Sequence, residues 1–174
     1  MQQFLAHYIE ELLIGHDGLV RAIAELAPDE LHSRPSEAAN SIGFDAWHVF
    51  RTADNVVHFV CLGELPVWRQ QGLDAVWGLP RNAQGTGMDP TEAHALRFPE
   101  AEVLARYGRD VATAIVPRVA KMTDELLEGV VTVAPHGELT RLRAIGTTIL
   151  THGNVHLGQI DVARTLLGKA SLRF

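Results

Sequence analysis

With 174 residues, 47% of them hydrophobic and 21% charged, the chain is long enough to bury a substantial core without a disulfide or a structural metal. Its net charge of -6 at pH 7 disfavours binding to nucleic acid, and it has no run of about 18 apolar residues that could span a membrane. A single cysteine, Cys61, and the lack of a signal-peptide pattern indicate a cytoplasmic protein. We expect one domain covering residues 1–174.

The first half of the chain predicts two helices. Apolar residues recur at helical spacing from Gln2 to Leu26, although Gly15 and Gly18 interrupt the pattern. Ser41 can cap a second helix that ends near Gly63. The segment from Gly63 to Pro99 is rich in glycine, proline and polar residues. A connection of this length in a compact domain should be functional or a crossover.

The second half predicts two more helices and no sheet. An acidic first turn begins a helix that continues from Pro99 to about Leu127, with a kink expected at Pro117. After a link over residues 128–139, which could be extended around Val130–Val133 but offers only one apolar run, the last helix runs from a Thr140 cap to Gly168. The predicted fold is all-α, a four-helix bundle with a long crossover connection between helices two and three.

His152 and His156 form the most informative local pattern, because they lie four residues apart in the predicted last helix. Four residues of α-helix advance about 6 Å and turn about 400°, so both imidazoles project from one face at a spacing that one divalent ion can span. Gly153 stands where a metalloprotease HExxH motif has its glutamate, so the pattern is not that motif. By spacing alone, such pairs are more often surface neighbours or satisfied core residues.

Three short motifs carry a family resemblance over nearly the whole chain. They are Leu26–Leu31 with Arg34–Pro35, Ser41–Gly43 leading to Trp47–His48, and His152 and His156 followed by Gln159–Ile160 and Leu167–Gly168. In this order they resemble the DinB/YfiT-like superfamily of metal-binding four-helix bundles. The resemblance implies one divalent ion, usually nickel or zinc, held by His48 of the second helix and by His152 and His156 of the last.

The resemblance also implies a class of reaction. Members with known chemistry include transferases and isomerases that use bacillithiol, mycothiol or glutathione. Three neutral imidazoles leave the charge of a cation uncompensated, which acidifies a bound water or thiol. We therefore expect a metal-dependent S-transferase or isomerase that acts on small electrophiles with a low-molecular-weight thiol. A metal-dependent hydrolase and a non-catalytic metal- or ligand-binding stress protein are the alternatives, and the sequence singles out no catalytic or thiol-binding residue.

Other polar residues near the predicted site have both a functional and a structural interpretation. Gln159 and Asn55 could hydrogen-bond a ligand or substrate, or serve helix packing. Asp45 and Asp54 are expected to be solvated carboxylates. Gly153 admits a close neighbour or is a tolerated surface glycine.

The long connection carries aromatic and cationic candidates. Trp68 and Trp77 could line a pocket mouth or cover the bundle. Arg69, Arg81 and Arg97 could receive a carboxylate from a substrate or thiol cofactor.

The remaining candidates have structural interpretations. Trp47 and Cys61 are expected in the core. The histidines without motif support are expected at the surface or in capping roles, namely His32, His58, His94 and His136.

We also expect a homodimer, a state that the family often shows. The first predicted helix has a wide apolar face at Leu5, Ile9, Leu12 and Leu13, and the last helix has a leucine-rich end. Such faces leave spare hydrophobic surface for a symmetric interface.

Overall fold

The computed structural model describes residues 1–172, which are mostly helical. The α-helices are α1 Gln2–Leu13, α2 Leu19–Ala24, α3 Pro28–Leu31, α4 Ile42–Asp54, α5 Val67–Gln70, α6 Leu73–Trp77, α7 Pro90–Ala95, α8 Ala101–Ala120, α9 Asp124–Glu128, α10 Arg141–Ile145 and α11 His152–Leu166. A π-helical segment, Asn55–Cys61, extends α4, and a second, Gly146–Thr151, joins α10 to α11. Strands β1 Val130–Val133 and β2 Gly137–Thr140 complete the described elements.

The first predicted helix is divided into α1 and α2 at the two glycines. The amide of Gly15 donates to the Glu10 and Glu11 carbonyls, and the amide of Gly18 donates back to the Gly15 carbonyl. A Cβ on Gly15 would lie 2.5 Å from the Glu11 carbonyl oxygen, so this tight turn excludes a side chain. Gly15 and Gly18 therefore separate two helices and do not lie within a single one.

The second predicted helix is confirmed. The hydroxyl of Ser41 accepts a hydrogen bond from the Phe44 amide at 3.1 Å, as an N-cap does. Every residue of α4 is buried, because the helix is packed against α8, α11 and α2 at once. This central position explains why both its apolar and its polar residues lie inside the protein.

The region after α8 differs from the prediction. Helix α8 passes through Pro117 and ends at Ala120, and the shorter α9 follows, capped by the Thr123 hydroxyl. The prediction of no sheet is wrong, because β1 and β2 form an antiparallel hairpin in which Val130 pairs with Thr140. Thr140, the predicted cap of the last helix, caps α10 and is also the last residue of β2. The residues just before it therefore form the strand that pairs with β1.

The core lies between the long helical segments. Helices α1 and α2 pack against α8, α8 packs against α4, and α4 packs against α11. The apolar face of α1 that was expected to serve a dimer instead belongs to this core, since Ile9, Leu12 and Leu13 are at most 4% exposed. That face is already used within the chain, and the homodimer stays a prediction. Among the described residues, no helix combines the length and apolarity needed to cross a membrane.

The long connection between α4 and α8 is anchored to the core by Asp54. The Asp54 carboxylate is fully buried and accepts hydrogen bonds from the amides of Val67 and Trp68, each at 2.9 Å. It also accepts from the Tyr107 hydroxyl at 2.9 Å and from His58 Nδ1 at 2.8 Å. The expectation of a solvated Asp54 and a surface His58 is therefore wrong: both are internal, and they fix where the connection leaves α4.

The tryptophans of the connection cover the core. Trp68 is fully buried and lies edge-on to Trp47 and Trp77, with ring centroids 6.2 and 5.4 Å away. Trp47 is also fully buried, as expected. This packing favours the covering role for Trp68 over a place at a pocket mouth.

Candidate metal centre

The structure brings His48, His152 and His156 together. The Nε2 atom of His152 lies 2.9 Å from Nε2 of His48 and 3.1 Å from Nε2 of His156. One nitrogen from each of the three rings lies within 4.8 Å of the other two, and His48 is buried while the other two are partly buried. Two ligands come from one helix and the third from its packing partner, so the cluster depends on how α4 and α11 pack.

The outer nitrogens of two rings face oxygen atoms, and the inner nitrogens of these rings face His152. The Nδ1–H group of His48 donates to the carbonyl oxygen of Gln84, which lies in the long connection. His156 Nδ1 lies 3.2 Å from Oδ1 of Asp45, so it faces the carboxylate without forming a well-aligned hydrogen bond. A hydrogen on each Nδ1 leaves the Nε2 lone pairs of His48 and His156 pointing toward His152.

The three-nitrogen contact fits a cation. His152 can place a single hydrogen on its own Nε2, and that hydrogen can satisfy only one of the two lone pairs that face it. A divalent ion bound by imidazole at about 2.0 to 2.1 Å would bring such nitrogens to about 3 Å from one another. The observed Nε2 spacings of 2.9 and 3.1 Å are therefore close to those of a metal-binding set.

The protonation states also suit metal binding. Burial lowers the pKa of His152 to about 4, with the neighbouring His48 and His156 imidazoles adding to the effect. Burial likewise lowers the pKa of His48, while the Gln84 carbonyl opposes the shift. Imidazole binds metals in its neutral form, so both groups are ready to bind over a wider pH range than an ordinary histidine.

Two local features of the backbone position the cluster. His152 follows directly on the π-helical segment Gly146–Thr151, and such wide turns are frequent at functional sites. In the long connection, a Cβ on Gly85 would meet the His48 ring at 3.0 Å, and the φ of +98° at this residue also favours glycine. Gly85 therefore lets the Gln84 carbonyl reach His48.

A cavity of about 230 Å³ opens beside His152. Its lining includes Thr52, Thr148, Gln84 and His136 of the β-hairpin. The Thr148 hydroxyl donates to the Ala144 carbonyl, whereas the Thr52 hydroxyl is buried and has no hydrogen-bond partner among the described residues. A small ligand in this cavity can therefore contact His152.

The other candidates from the sequence lie in different parts of the structure. Asp45 is 6% exposed and faces His156, so the expectation of a solvated carboxylate is wrong. Gln159 is exposed and lines a groove that Asp45 also lines, and Asn55 lines a cleft beside the cavity. Cys61 is a buried core residue, and burial raises the pKa of its thiol to about 11.

The glycine and arginine candidates also lie in different surroundings. A Cβ on Gly153 would lie 2.4 Å from a Leu12 methyl carbon, so this glycine admits a close neighbour from α1. Arg97 is exposed and donates to the His94 and Leu96 carbonyls. Arg69 and Arg81 line the same cleft as Asn55.

Sequence reasoning did not place three residues at the site: it assigned Asp45 to solvent and His136 to the surface or a capping role, and it did not consider Gln84. Asp45 precedes His48 by three positions on the same helix, a spacing that could have indicated a shared face. Gln84 contributes a backbone carbonyl, a group that every residue has, so the pattern of side chains in the sequence could not identify it. His136 reaches the cavity through the hairpin, which was not predicted.

Comparison with known proteins agrees with the fold. A family model described as DinB superfamily matches residues 12–160. A solved structure of a conserved protein from Enterococcus faecalis is similar over 97% of this chain and 98% of that chain, with 19% identity and a TM-score of 0.82. No curated protein matches the chain.

Proposed function

This chain belongs to the DinB superfamily, and on that premise we propose that His48, His152 and His156 bind one divalent metal ion, nickel or zinc, for an enzyme that uses a low-molecular-weight thiol. The long helical segments would then form the four-helix bundle that the family resemblance implies. The observation that carries the proposal is the convergence of three Nε2 atoms beside a cavity.

The bound ion would lower the pKa of a thiol and hold it as a thiolate at neutral pH. The residues of the chain prepare this chemistry. A hydrogen bond to the Gln84 carbonyl orients His48, Asp45 faces His156, and the three neutral rings add no negative charge that would offset the cation.

The chain supplies no thiol of its own to this site. Cys61, its only cysteine, lies in the core outside the histidine cluster and has a raised pKa. This separation supports an external thiol, which would attack a carbon of the electrophile while the leaving group departs with its electron pair. This step would give S-transfer; in an isomerisation the thiolate would instead add to the substrate and later leave with the electron pair of the C–S bond, which regenerates the thiol.

A metal-dependent hydrolase is the second candidate. The observation that favours it is His136, whose side chain lines the same cavity as His152 and could accept a proton from an attacking water. A hydrolase would act on ester or amide probes without any added thiol, which separates it from the first candidate.

Metal content and thiol conjugation test the proposal together. Protein purified without chelator should contain one nickel or zinc ion per chain, and alanine at any of the three histidines should remove most of it. His7→Ala and His16→Ala are matched controls, since both side chains are exposed. His58→Ala is unsuitable as a control because His58 is buried against Asp54.

The metal-loaded protein should accelerate the conjugation of bacillithiol, mycothiol or glutathione with monochlorobimane. His152→Ala should abolish this acceleration together with the metal. Equal metal content in all five alanine variants would contradict the metal site. A fully loaded protein that accelerates none of the three conjugations, yet binds a small ligand in calorimetry, would instead be a non-catalytic binding protein.

A further inference from the structure

A larger cleft adjoins the cavity beside His152. The cleft has a volume of about 560 Å³ and the cavity about 230 Å³, and Val56, Gln84, Val133 and Ala134 line both. These four residues border both spaces, so the cleft and the cavity are neighbours between the π-helical segment after α4, the β-hairpin and the long connection. The volume of the cleft is in the range of small-molecule sites, and the cavity is lined by His152 of the histidine cluster.

The cleft is lined by cationic and not by acidic side chains. Arg51, Arg69 and Arg81 line it, and within residues 1–172 no aspartate or glutamate lines either the cleft or the cavity. The chain as a whole carries 21 acidic residues against 15 basic ones. The positive lining is thus a local feature opposite in sign to the net charge, and it would attract an anion.

Arg51 lies at the buried end of this lining with unused hydrogen-bond donors. Its side chain is 3% exposed, and its Nε and Nη1 atoms are buried without a hydrogen-bond partner in the part of the chain that the structure describes. The carboxylate of Asp54 comes no nearer than 4.0 Å to Nη1, and the guanidinium lies over the Trp68 ring at 4.9 Å. Buried guanidinium donors without acceptors are costly, so this arrangement favours binding of an acceptor from the cleft.

The charge balance favours a monoanion. Asp54 faces Arg51, and Asp74 lies 3.8 Å from Arg81, whose side chain is 67% exposed. Arg69 donates to the neutral Asn82 amide oxygen at 3.3 Å. About one positive charge therefore remains unbalanced, which matches a single carboxylate better than a phosphate dianion.

The rim of the cleft is apolar. Phe59 and Leu65 line it and are 63% and 55% exposed, although both are large hydrophobic residues. A ligand that covered them would gain from burying apolar surface. The same ligand could place an anionic group against the arginines.

We propose that this cleft is the subsite for the carboxylate of a small amphipathic ligand, whose reactive end lies at His152. The inference rests on the proposed function and deepens it, because it names the substrate class of the same site. Arg51 and Arg69 bind the carboxylate, Arg81 guides it in from the rim, and Phe59 and Leu65 cover the apolar part of the ligand.

The test measures affinity with calorimetry and not turnover. Metal-loaded protein is titrated with ω-mercaptoalkanoates of three to eight carbons and with the matching ω-mercaptoalkanols, which lack the charge. At one chain length the carboxylate should bind at least tenfold more tightly than the alcohol. Equal affinities at every length would overturn the proposal.

Variants at the rim locate the binding site. The double variant Arg69→Gln/Arg81→Gln should reduce the preference for the carboxylate to less than threefold and leave the affinity for the alcohol unchanged. Arg106→Gln, at an exposed arginine of α8 outside the cleft, is the matched control and should keep the full preference. A full preference in the double variant would overturn the assignment. Arg51 is not replaced, because it faces the buried Asp54.

A second arm separates this inference from the metal-thiol function. Chelator-treated protein is titrated with octanoate and octanol, which carry no thiol. One result is that the chelator-treated protein prefers octanoate, the double variant loses this preference, and the metal-loaded protein binds no thiol. That result would support the cleft and contradict the proposed function. If mercaptoalkanoates and mercaptoalkanols bind with equal affinity and only when the metal is present, the result would support the metal-thiol function and contradict the cleft. Displacement of octanoate by equimolar inorganic phosphate would overturn the choice of a carboxylate.

Discussion

Asp45→Asn tests whether the residues around the histidines tune the metal site. Oδ1 of Asp45 lies 3.2 Å from His156 Nδ1 and 3.2 Å from the Asn40 amide nitrogen, and the Asp45 side chain is 9% exposed. Asparagine keeps the size of the side chain and an oxygen acceptor but removes the charge. Loss of such an outer partner typically lowers metal affinity by about 10- to 100-fold, or about 1.4 to 2.7 kcal/mol.

We expect two substitutions of Asp45 to give the lower and the upper end of this range of affinity loss. Asp45→Asn should lower affinity by about tenfold because an amide oxygen can still face the ring, whereas Asp45→Ala should approach about 100-fold because no acceptor remains. The assay is competition for zinc with a chromophoric chelator at fixed pH. Asp29→Asn, at an exposed aspartate in α3, is the control and should leave the affinity unchanged.

Two outcomes would refute this reasoning. Unchanged zinc affinity in both Asp45 variants would show that the carboxylate does not influence His156. Complete loss of zinc in Asp45→Asn, as in His156→Ala, would make Asp45 a direct ligand. Denaturant unfolding of the metal-free variants shows whether any loss comes from the fold instead.

Three further predictions concern stability and reactivity. Asp54→Ala should lower the free energy of unfolding by more than about 4 kcal/mol in denaturant titrations, because four donors lose their buried acceptor at about 1 to 3 kcal/mol each; a loss below 1 kcal/mol would contradict this role. In chelator-treated protein the pKa of His152 is lowered from 6.5 to about 4, so the unfolded state binds more protons between those values. The free energy of unfolding should fall as pH is lowered through that range, and a His152→Ala variant that showed the same slope would argue against the shift. Cys61 should react with a thiol reagent only after unfolding, because burial raises its pKa to about 11; rapid labelling of the folded protein would contradict its burial.

The sequence by itself determined the features that depend on local spacing. Helical periodicity and the Ser41 cap located α4, and the four-residue interval placed His152 and His156 on one face of α11. Both follow from the geometry of a helix, which does not depend on the rest of the chain. The order of the motifs then added His48 through the family resemblance.

The tertiary structure decided everything that depends on which segments meet. Periodicity gave Asp45 and Asp54 the same solvated interpretation, yet helix packing buries one against His156 and the other beneath the long connection. The same packing uses the apolar face of α1 internally, and chain reversal at residues 134–136 gives β1 its partner. Arg51 and Arg69 line one cleft because α4 and the long connection, which contains α5, converge there. Burial and charge environment are properties of the assembled fold, so local spacing could not reveal them.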